Sequence, residues 1–172
     1  GEQWHLTMEV SGIGRGLATR NSWRPLAPTS TGNELVWQGQ GFDVQYVHSI
    51  EGLRQNFIIA ERLSGTEELR LDLRYGGGLH PRSYGNGLRF SDEQGVDRFS
   101  YDGLRVWDAC GEILPARLVS DDRCEGVLNI RVDDRSATYP ITIDPIAATQ
   151  TQLLVGTVGV GQFGYAVSTA GD

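Results

Sequence analysis

The stretch Leu69-Arg70-Leu71-Asp72-Leu73-Arg74 decides the fold class, because its apolar and charged residues alternate strictly. Successive side chains of a β-strand point to opposite faces of a sheet, so the leucines share one face and the charges share the other. We expect the leucine face to pack against a second layer and the charged face to contact water, as in an antiparallel sandwich.

The same alternation recurs along most of the chain. Glycine provides 23 of the 172 residues and stands between short alternating runs. Because the period of these runs is two and not 3.6, they predict strands instead of helices. The predicted strands cover residues 4–10, 34–38, 42–48, 54–62, 68–74, 87–91, 98–101, 104–107, 114–119, 127–132 and 138–143. The chain is therefore predicted to be all-β, a mostly antiparallel β-sandwich.

Turn residues separate these runs. The dipeptide Asp102-Gly103 joins two short runs directly and predicts a tight type I′ hairpin, which needs positive φ at both central positions. The glycine-rich stretch 12–16 is interpreted as a loop. Segment 20–33, which contains Pro25, Pro28 and several Ser, Thr and Gly residues, is interpreted as a long loop.

The composition changes after Asp144-Pro145. No charged residue occurs from Ile146 through Ala170. A segment without charges is too apolar to be a typical solvated linker. We therefore predict a β-sandwich domain over residues 1–145 and a β-prone tail over residues 146–172.

Charge and hydropathy exclude several classes of function. The chain has 22 acidic and 15 basic residues, for a formal net charge of -7. This charge repels a phosphate backbone, so we expect no nucleic-acid partner. No apolar run approaches the roughly 20 residues that cross a bilayer, so we expect no insertion into a membrane. Every basic residue is arginine, which excludes a Schiff-base lysine and a Walker-type phosphate loop.

The two cysteines, Cys110 and Cys124, flank a predicted strand–turn–strand unit. Folding of that hairpin brings them within reach of each other, and a bridge would close a loop of about 15 residues. A disulfide between Cys110 and Cys124 is predicted, with two buried free thiols as the alternative. An oxidised pair favours an extracellular or cell-surface location.

The chain offers no sequence pattern for catalysis or metal binding. His5, His48 and His80 are far apart in sequence and lack the paired spacing of metal ligands. The acidic pairs Asp121-Asp122 and Asp133-Asp134 could hold calcium or flank a glycosidic bond. Both pairs lie in predicted turns, however, where aspartate is common for backbone reasons. We predict that the protein is not an enzyme and has no catalytic residue, no metal site and no cofactor.

Four tryptophans could stack on the apolar face of a sugar ring. Trp4, Trp37 and Trp107 are predicted to pack in the core, which is usual for tryptophan in a sandwich. Trp23 differs because it lies in a polar loop. It is therefore the candidate ligand contact for an alternative function, a carbohydrate-binding β-sandwich module.

The end of the chain resembles a known repeat. Residues Gln162-Phe163-Gly164-Tyr165-Ala166-Val167-Ser168-Thr169-Ala170-Gly171-Asp172 resemble the opening of an FG-GAP repeat, the blade unit of integrin-α-like β-propellers. Residues 32–145, through pieces at 52–57, 101–109 and 137–145, look like the β-rich region that precedes such repeats in large bacterial surface proteins. The resemblance implies a non-enzymatic extracellular structural or adhesive module. Because a propeller blade has about four strands, one partial repeat implies neither a propeller nor the calcium function of the family.

Two stretches of the tail, 152–158 and 163–168, have strand character. An unpaired strand exposes backbone donors and apolar side chains. Such a tail can be disordered, fold back onto its own sandwich, or add to the edge of a neighbouring copy. Disorder is disfavoured by the absence of charge. Folding back is limited by the short connector over residues 146–149, which spans only about 14 Å at full extension.

Strand addition to a neighbour is therefore the favoured fate of the tail. The predicted subunit contacts are Leu153, Val155, Phe163, Tyr165 and Val167. Head-to-tail addition that does not close on itself generates a filament. The expected partner is a protein, either copies of this chain or the rest of a larger surface protein.

Overall fold

The computed structural model describes residues 4–16, 18–20, 23, 25–50, 52–120, 125–149 and 166–168. This part of the chain contains strands and no helix. The strands are β1 (His5–Arg15), β2 (Ala18–Arg20), β3 (Thr29–Thr31), β4 (Glu34–Trp37), β5 (Phe42–Ser49), β6 (Gly52–Ile59), β7 (Leu69–Gly77), β8 (His80–Tyr84), β9 (Gly87–Ser91), β10 (Asp97–Trp107), β11 (Ala116–Ser120), β12 (Val127–Val132), β13 (Ile141–Thr149) and β14 (Ala166–Ser168). The predicted all-β class is confirmed.

These strands form two antiparallel sheets. The first sheet has the strand order β11-β12-β7-β1-β14, and β2 also pairs with β1. The second sheet has the order β3-β4-β5-β6-β13-β10-β9-β8. Their inner faces share one hydrophobic core, so the predicted β-sandwich is confirmed.

The chain crosses repeatedly between the two sheets. After β6 it enters the first sheet for β7, returns to the second sheet for β8, β9 and β10, enters the first sheet again for β11 and β12, and returns to the second sheet for β13. On its return, β13 enters between two strands formed earlier in the chain. Its Ile143 pairs with Phe57 of β6 on one side and with Val106 of β10 on the other.

The core is filled by alternate residues of the strands. Leu69, Leu71 and Leu73 of β7 are completely buried, as the alternation predicts. From the second sheet, Phe57 and Ile143 are also completely buried and belong to the same cluster. Burial of a side chain of this size stabilises the fold by about 1.5–3 kcal/mol.

The opposite face of β7 differs from the prediction. Arg74 is exposed, but Arg70 and Asp72 are only 7% and 6% exposed. Arg70 Nε lies 2.8 Å from Asp72 Oδ1, and Asn129 Nδ2 donates a hydrogen bond to the same oxygen at 3.1 Å. Because the two charges are paired within this face, they do not depend on water for partners. The prediction of a wet face is therefore wrong at positions 70 and 72.

The predicted hairpin at Asp102-Gly103 is also wrong. Strand β10 runs through the dipeptide without interruption, and its register on β13 shifts between Asp102 and Arg105. Gly103 has a φ of 62°, so the expected positive φ is present at this glycine. The dipeptide belongs to a β-bulge, which accommodates such a residue without reversing the chain.

Two predicted loops contain strand. Strand β1 continues through the glycine-rich stretch 12–16 as far as Arg15, with a register irregularity between Val10 and Gly12. Segment 20–33 includes β3, which pairs with β4. Strand β8 was not among the predicted strands and forms the outermost strand of the second sheet.

The last strand of the body continues across the predicted domain boundary at residue 146. Strand β13 spans Ile141–Thr149, whereas the alternation predicted a strand over residues 138–143. Ile146 pairs with Arg54 of β6 and with Asp102 of β10. Residues 146–149 therefore belong to the second sheet and are not a free connector to the tail.

Candidate interaction site

The edge of the first sheet at β1 is where the C-terminal strand lies. Strand β14 pairs antiparallel with the beginning of β1, so that Leu6 lies opposite Val167 and Thr7 opposite Ala166. On its other side β1 pairs with β7. Strand β14 therefore covers backbone groups of β1 that would otherwise be unpaired at the edge of the sheet.

On the side of β1 that faces away from β7, each end of the strand pairs with another strand. Strand β2 pairs with Ile13–Arg15, and β14 pairs with the beginning of the strand. In the described part of the chain, positions 8–12 between these two contacts pair with β7 alone. The register irregularity between Val10 and Gly12 interrupts this open stretch, which limits how long a strand it could accept.

The connection from the body to β14 is long. Strand β13 ends at Thr149 and β14 begins at Ala166, so residues 150–165 join them. At full extension this connection spans roughly 55 Å. The expectation that a short connector limits folding back is therefore wrong, because residues 146–149 belong to β13.

One predicted subunit contact lies in a described strand. Val167 belongs to β14, and its Cα partner on β1 is a completely buried leucine. The other predicted contacts, Leu153, Val155, Phe163 and Tyr165, lie outside the described residues. Strand β14 thus lies within one of the two tail stretches with predicted strand character, residues 163–168. The other stretch, residues 152–158, lies outside the described residues.

A buried ion pair lies at the opposite end of β1. Arg15 Nη1 donates to Asp134 Oδ1 at 2.8 Å, and Nη2 donates to Oδ2 at 2.6 Å. The two side chains are 6% and 1% exposed. Arg15 also donates to the carbonyl oxygens of Leu63 at 2.9 Å and Glu67 at 2.6 Å. It therefore ties the end of β1 to both the β6–β7 and the β12–β13 connections.

Two further side chains complete the cluster around Asp134. The Tyr139 hydroxyl donates a hydrogen bond to Asp134 Oδ2. Arg62 Nη1 lies 3.6 Å from the same oxygen, and Arg62 Cζ lies 5.5 Å from the centre of the Tyr139 ring. One carboxylate thus has a hydroxyl and two guanidinium groups around it.

This environment shifts two pKa values in opposite directions. Burial by itself raises the pKa of Asp134, but the hydrogen bonds from Arg15 and Tyr139 outweigh burial, and the net shift is downward. Burial and the bond to the carboxylate raise the pKa of Tyr139. Near neutral pH, Asp134 is therefore a carboxylate and Tyr139 a neutral phenol, which is the combination that this hydrogen bond needs.

A chain of polar side chains links β5, β6 and β10 inside the core. The Tyr101 hydroxyl donates to Gln55 Oε1 at 2.7 Å, and Gln55 Nε2 donates to the Tyr46 hydroxyl at 2.7 Å. Burial raises the pKa of Tyr101 well above its usual value, so this hydroxyl is a donor under all ordinary conditions. A buried network of this kind favours one arrangement of the strands, because other arrangements leave its polar groups without partners.

Cys110 lies in an exposed loop, and Cys124 lies outside the described residues. Asp108 organises that loop, since its Oδ1 accepts hydrogen bonds from the Cys110 amide at 2.9 Å and the Glu112 amide at 3.0 Å. Cys110 is exposed, and no disulfide occurs within the described residues. A buried thiol is therefore the wrong expectation for Cys110, while its pairing with Cys124 stays a prediction.

Trp23 packs against the core and is only partly exposed. Its ring stacks on that of Phe42, with centroids 5.7 Å apart and an interplanar angle of 20°, and its Nε1 donates to the Phe42 carbonyl at 3.1 Å. Trp4 and Trp37 are buried, as predicted, whereas Trp107 is partly exposed. Packing accounts for the position of Trp23, and a ligand contact there stays a prediction.

The candidate metal and acid–base residues do not converge. His5, His48 and His80 are exposed and lie on different strands. In the part of the chain that the structure describes, no group of three His, Cys, Asp or Glu side chains is placed to hold a metal ion. The carboxylates of Asp133 and Asp134 have different partners. Asp133 binds the exposed Arg135, and Asp134 belongs to the buried cluster with Arg15. The pair Asp121-Asp122 lies outside the described residues.

The interpretation of the sequence missed the cluster around Asp134. Arg15 and Asp134 are 119 positions apart, and Arg15 lies in a stretch predicted to be a loop. One signal was available, since Arg15 follows the apolar Ile13 by two positions and therefore falls on the core face of β1. A charge at an inward position of a strand requires a buried partner.

Comparison of the chain with family models, curated proteins and solved structures finds no match. The resemblance to FG-GAP repeats therefore rests on the motifs quoted from the sequence. Among the residues that the structure describes, no helix has the length and apolar character needed to cross a membrane.

Proposed function

We propose that this chain is a non-enzymatic structural or adhesive module of an extracellular bacterial surface protein, and that its C-terminal strand joins one copy to the next. The observation that carries the proposal is the pairing of β14 with the edge of β1. A strand that docks on a sheet edge can dock equally well on the same edge of a second copy, because the backbone hydrogen bonds are the same.

The geometry of the joint supports exchange between copies. Residues 150–165 reach roughly 55 Å at full extension, so chain length does not restrict β14 to its own sandwich. The ladder between β1 and β14 covers only His5–Thr7 and Ala166–Ser168. Each hydrogen bond in this ladder contributes about 0.5–1.5 kcal/mol net, so little free energy is needed to release β14 from β1. Exchange that continues head-to-tail builds a fibre.

The extracellular assignment is supported by the sequence. The resemblance to the opening of an FG-GAP repeat and to the β-rich region before such repeats points to a bacterial surface protein. The predicted bridge between Cys110 and Cys124 is consistent with an oxidising location.

A carbohydrate-binding module is the alternative function. Trp23 is its predicted ligand contact, but the ring stacks on Phe42 and its Nε1 already has a carbonyl partner. Trp23 therefore gives this alternative less support than an exposed indole would.

Engineered cysteines test the exchange directly. In a background with Cys110→Ser and Cys124→Ser, one chain carries Thr7→Cys and another carries Ala166→Cys. These positions lie opposite each other on β1 and β14. Directly opposed residues of antiparallel strands have Cβ atoms about 4.5–5.5 Å apart, which is close enough for a disulfide to form with a small adjustment.

A mixture of the two single variants can be cross-linked only between copies, so we expect oxidised dimers. A chain with both substitutions should form a ladder of covalent oligomers as its concentration rises. Thr31→Cys, on the outermost strand β3 of the second sheet, is the matched control and should not cross-link to Ala166→Cys. Cross-linking that stays within single chains at every concentration would overturn the fibre, and absence of any cross-link would overturn the pairing itself.

A further inference from the structure

A second surface feature lies at the far edge of the second sheet. Strand β8 (His80–Tyr84) is the outermost strand there, and β9 (Gly87–Ser91) pairs with it. Tyr84 is 54% exposed. Arg89 Cζ lies 4.6 Å from the centre of the Tyr84 ring, and Arg82 Cζ lies 6.0 Å from it. These three residues form the β8–β9 patch.

The two arginines of the patch are direct cross-strand neighbours. Like charges in that position destabilise a sheet unless something compensates them. Asp97 compensates Arg82, since its Oδ2 lies 2.6 Å from Arg82 Nη2 and its Oδ1 accepts a hydrogen bond from Arg82 Nε at 3.3 Å. Ser91 donates to the same carboxylate at 2.6 Å. The hydrogen bonds of Asp97 are therefore with Arg82 and Ser91, and Arg89 attracts the same carboxylate at longer range. Two arginines and one carboxylate leave one positive charge in excess.

Arg89 carries that excess charge. Its Nε is buried and has no hydrogen-bond partner among the described residues. The residue opposite it on β10 is Ser100, which has no charge. The guanidinium of Arg89 thus lies beside a half-exposed aromatic ring, although its buried Nε is not itself open to a ligand.

Protection of a sheet edge does not account for this arrangement. Charged side chains on an outermost strand prevent edge-to-edge aggregation, and Arg82 on β8 suits that role. Arg89, however, lies on β9, which has strands on both sides. An exposed tyrosine ring also works against such protection, because it adds apolar surface to the edge.

We propose that the β8–β9 patch binds an anionic carbohydrate, one whose sugar rings carry carboxylate or sulfate groups. The Tyr84 ring offers a flat surface to a sugar ring, and Arg89 donates charge-assisted hydrogen bonds to the anionic group. The net charge of the chain is -7, so the molecule as a whole repels a long polyanion such as nucleic acid, and a short anionic sugar suits a local patch better. This site needs neither the C-terminal strand nor a second copy, so it goes beyond the proposed function.

Binding of the full chain to short, defined oligosaccharides tests the site. The probes are a heparin tetrasaccharide, which is sulfated, a galacturonate tetrasaccharide, which is carboxylated, and a dextran tetrasaccharide, which is neutral. We expect binding to at least one anionic probe, weakened by salt, and none to dextran. Arg89→Gln should weaken binding about tenfold or more, because a hydrogen bond to a charged group contributes about 1.5–3 kcal/mol.

Matched variants separate the site from general charge effects. Tyr84→Phe keeps the ring and should keep binding, whereas Tyr84→Ala should lose it; exposure of this side chain makes both variants compatible with folding. Arg74→Gln removes an exposed arginine from the first sheet and should leave binding unchanged. The proposal would be overturned if Arg74→Gln and Arg89→Gln weakened binding of the anionic probes equally. It would also be overturned if the wild-type chain bound dextran as strongly as it bound both anionic probes. Full binding by an Arg89→Gln chain that aggregates would assign the arginine to edge protection instead.

Discussion

Replacing Arg15 with methionine is expected to destabilise the fold by about 3 kcal/mol. Removal of one partner from a buried ion pair costs about 3–5 kcal/mol, because the other charge is left buried without compensation. Here that charge is Asp134, whose side chain is 1% exposed. Tyr139 still donates to it and Arg62 remains 3.6 Å away, which places the expected loss at the lower end of the range.

Urea denaturation at pH 7, followed by tryptophan fluorescence, measures this loss as a change in the free energy of unfolding. Arg117→Met is the control, since its pair with Glu68 is largely exposed (51% and 37%) and should be worth less than about 1 kcal/mol. The double variant Arg15→Met with Asp134→Leu should recover much of the loss, because apolar residues of similar size can replace a buried pair. The reasoning is refuted if Arg15→Met costs no more than Arg117→Met.

The same pair gives stability a defined dependence on pH. The pKa of Asp134 is lower in the folded chain than in the unfolded chain. Its contribution is therefore fully present above the ordinary aspartate pKa of about 3.9 and is lost as the pH falls through the lowered folded value. The wild type should lose stability relative to the double variant below about pH 4. A difference between them that stays constant from neutral to strongly acidic pH would contradict the downward shift.

Three further predictions address the core, the bulge and the thiols. Ile141→Ala should lower the free energy of unfolding by about 2–5 kcal/mol, because this side chain is completely buried; an unchanged urea midpoint would contradict its core position. Gly103→Ala, at a φ of 62° and beside a packed side chain, should cost about 1–2 kcal/mol. Gly95→Ala, at a φ of 78° with no atom within 4 Å, should cost less in the same assay. Alkylation without reductant should leave Cys110 and Cys124 unmodified by mass if they are bridged, and two added alkyl groups would show that they are not.

Local alternation predicted much of the fold correctly. The strands over Gly87–Ser91 and Val127–Val132 have the bounds that the sequence predicted, and the leucines of β7 face the core. Alternation succeeds there because the direction of each side chain in a strand follows from its position alone. It failed at Asp102-Gly103, because a glycine with positive φ is compatible with both a hairpin and a bulge, and only the partner strand selects between them.

The candidate sites depended more strongly on tertiary contacts. Trp23 was selected for the polarity of its neighbours in sequence, but Phe42 determines where its ring lies. Local sequence does not bring Arg82, Tyr84 and Arg89 together, because their proximity follows from the pairing of β8 with β9.

The sequence by itself determined the all-β class, most strands and the inward direction of the β7 leucines, since these properties depend on residues that are close along the chain. Only the tertiary structure decided that β13 inserts between β6 and β10, that β14 lies on β1, and that Arg15 meets Asp134. Each of these contacts joins segments far apart in sequence. Such a contact forms only after loop closure, and its energy depends on the partner that the rest of the fold brings to it.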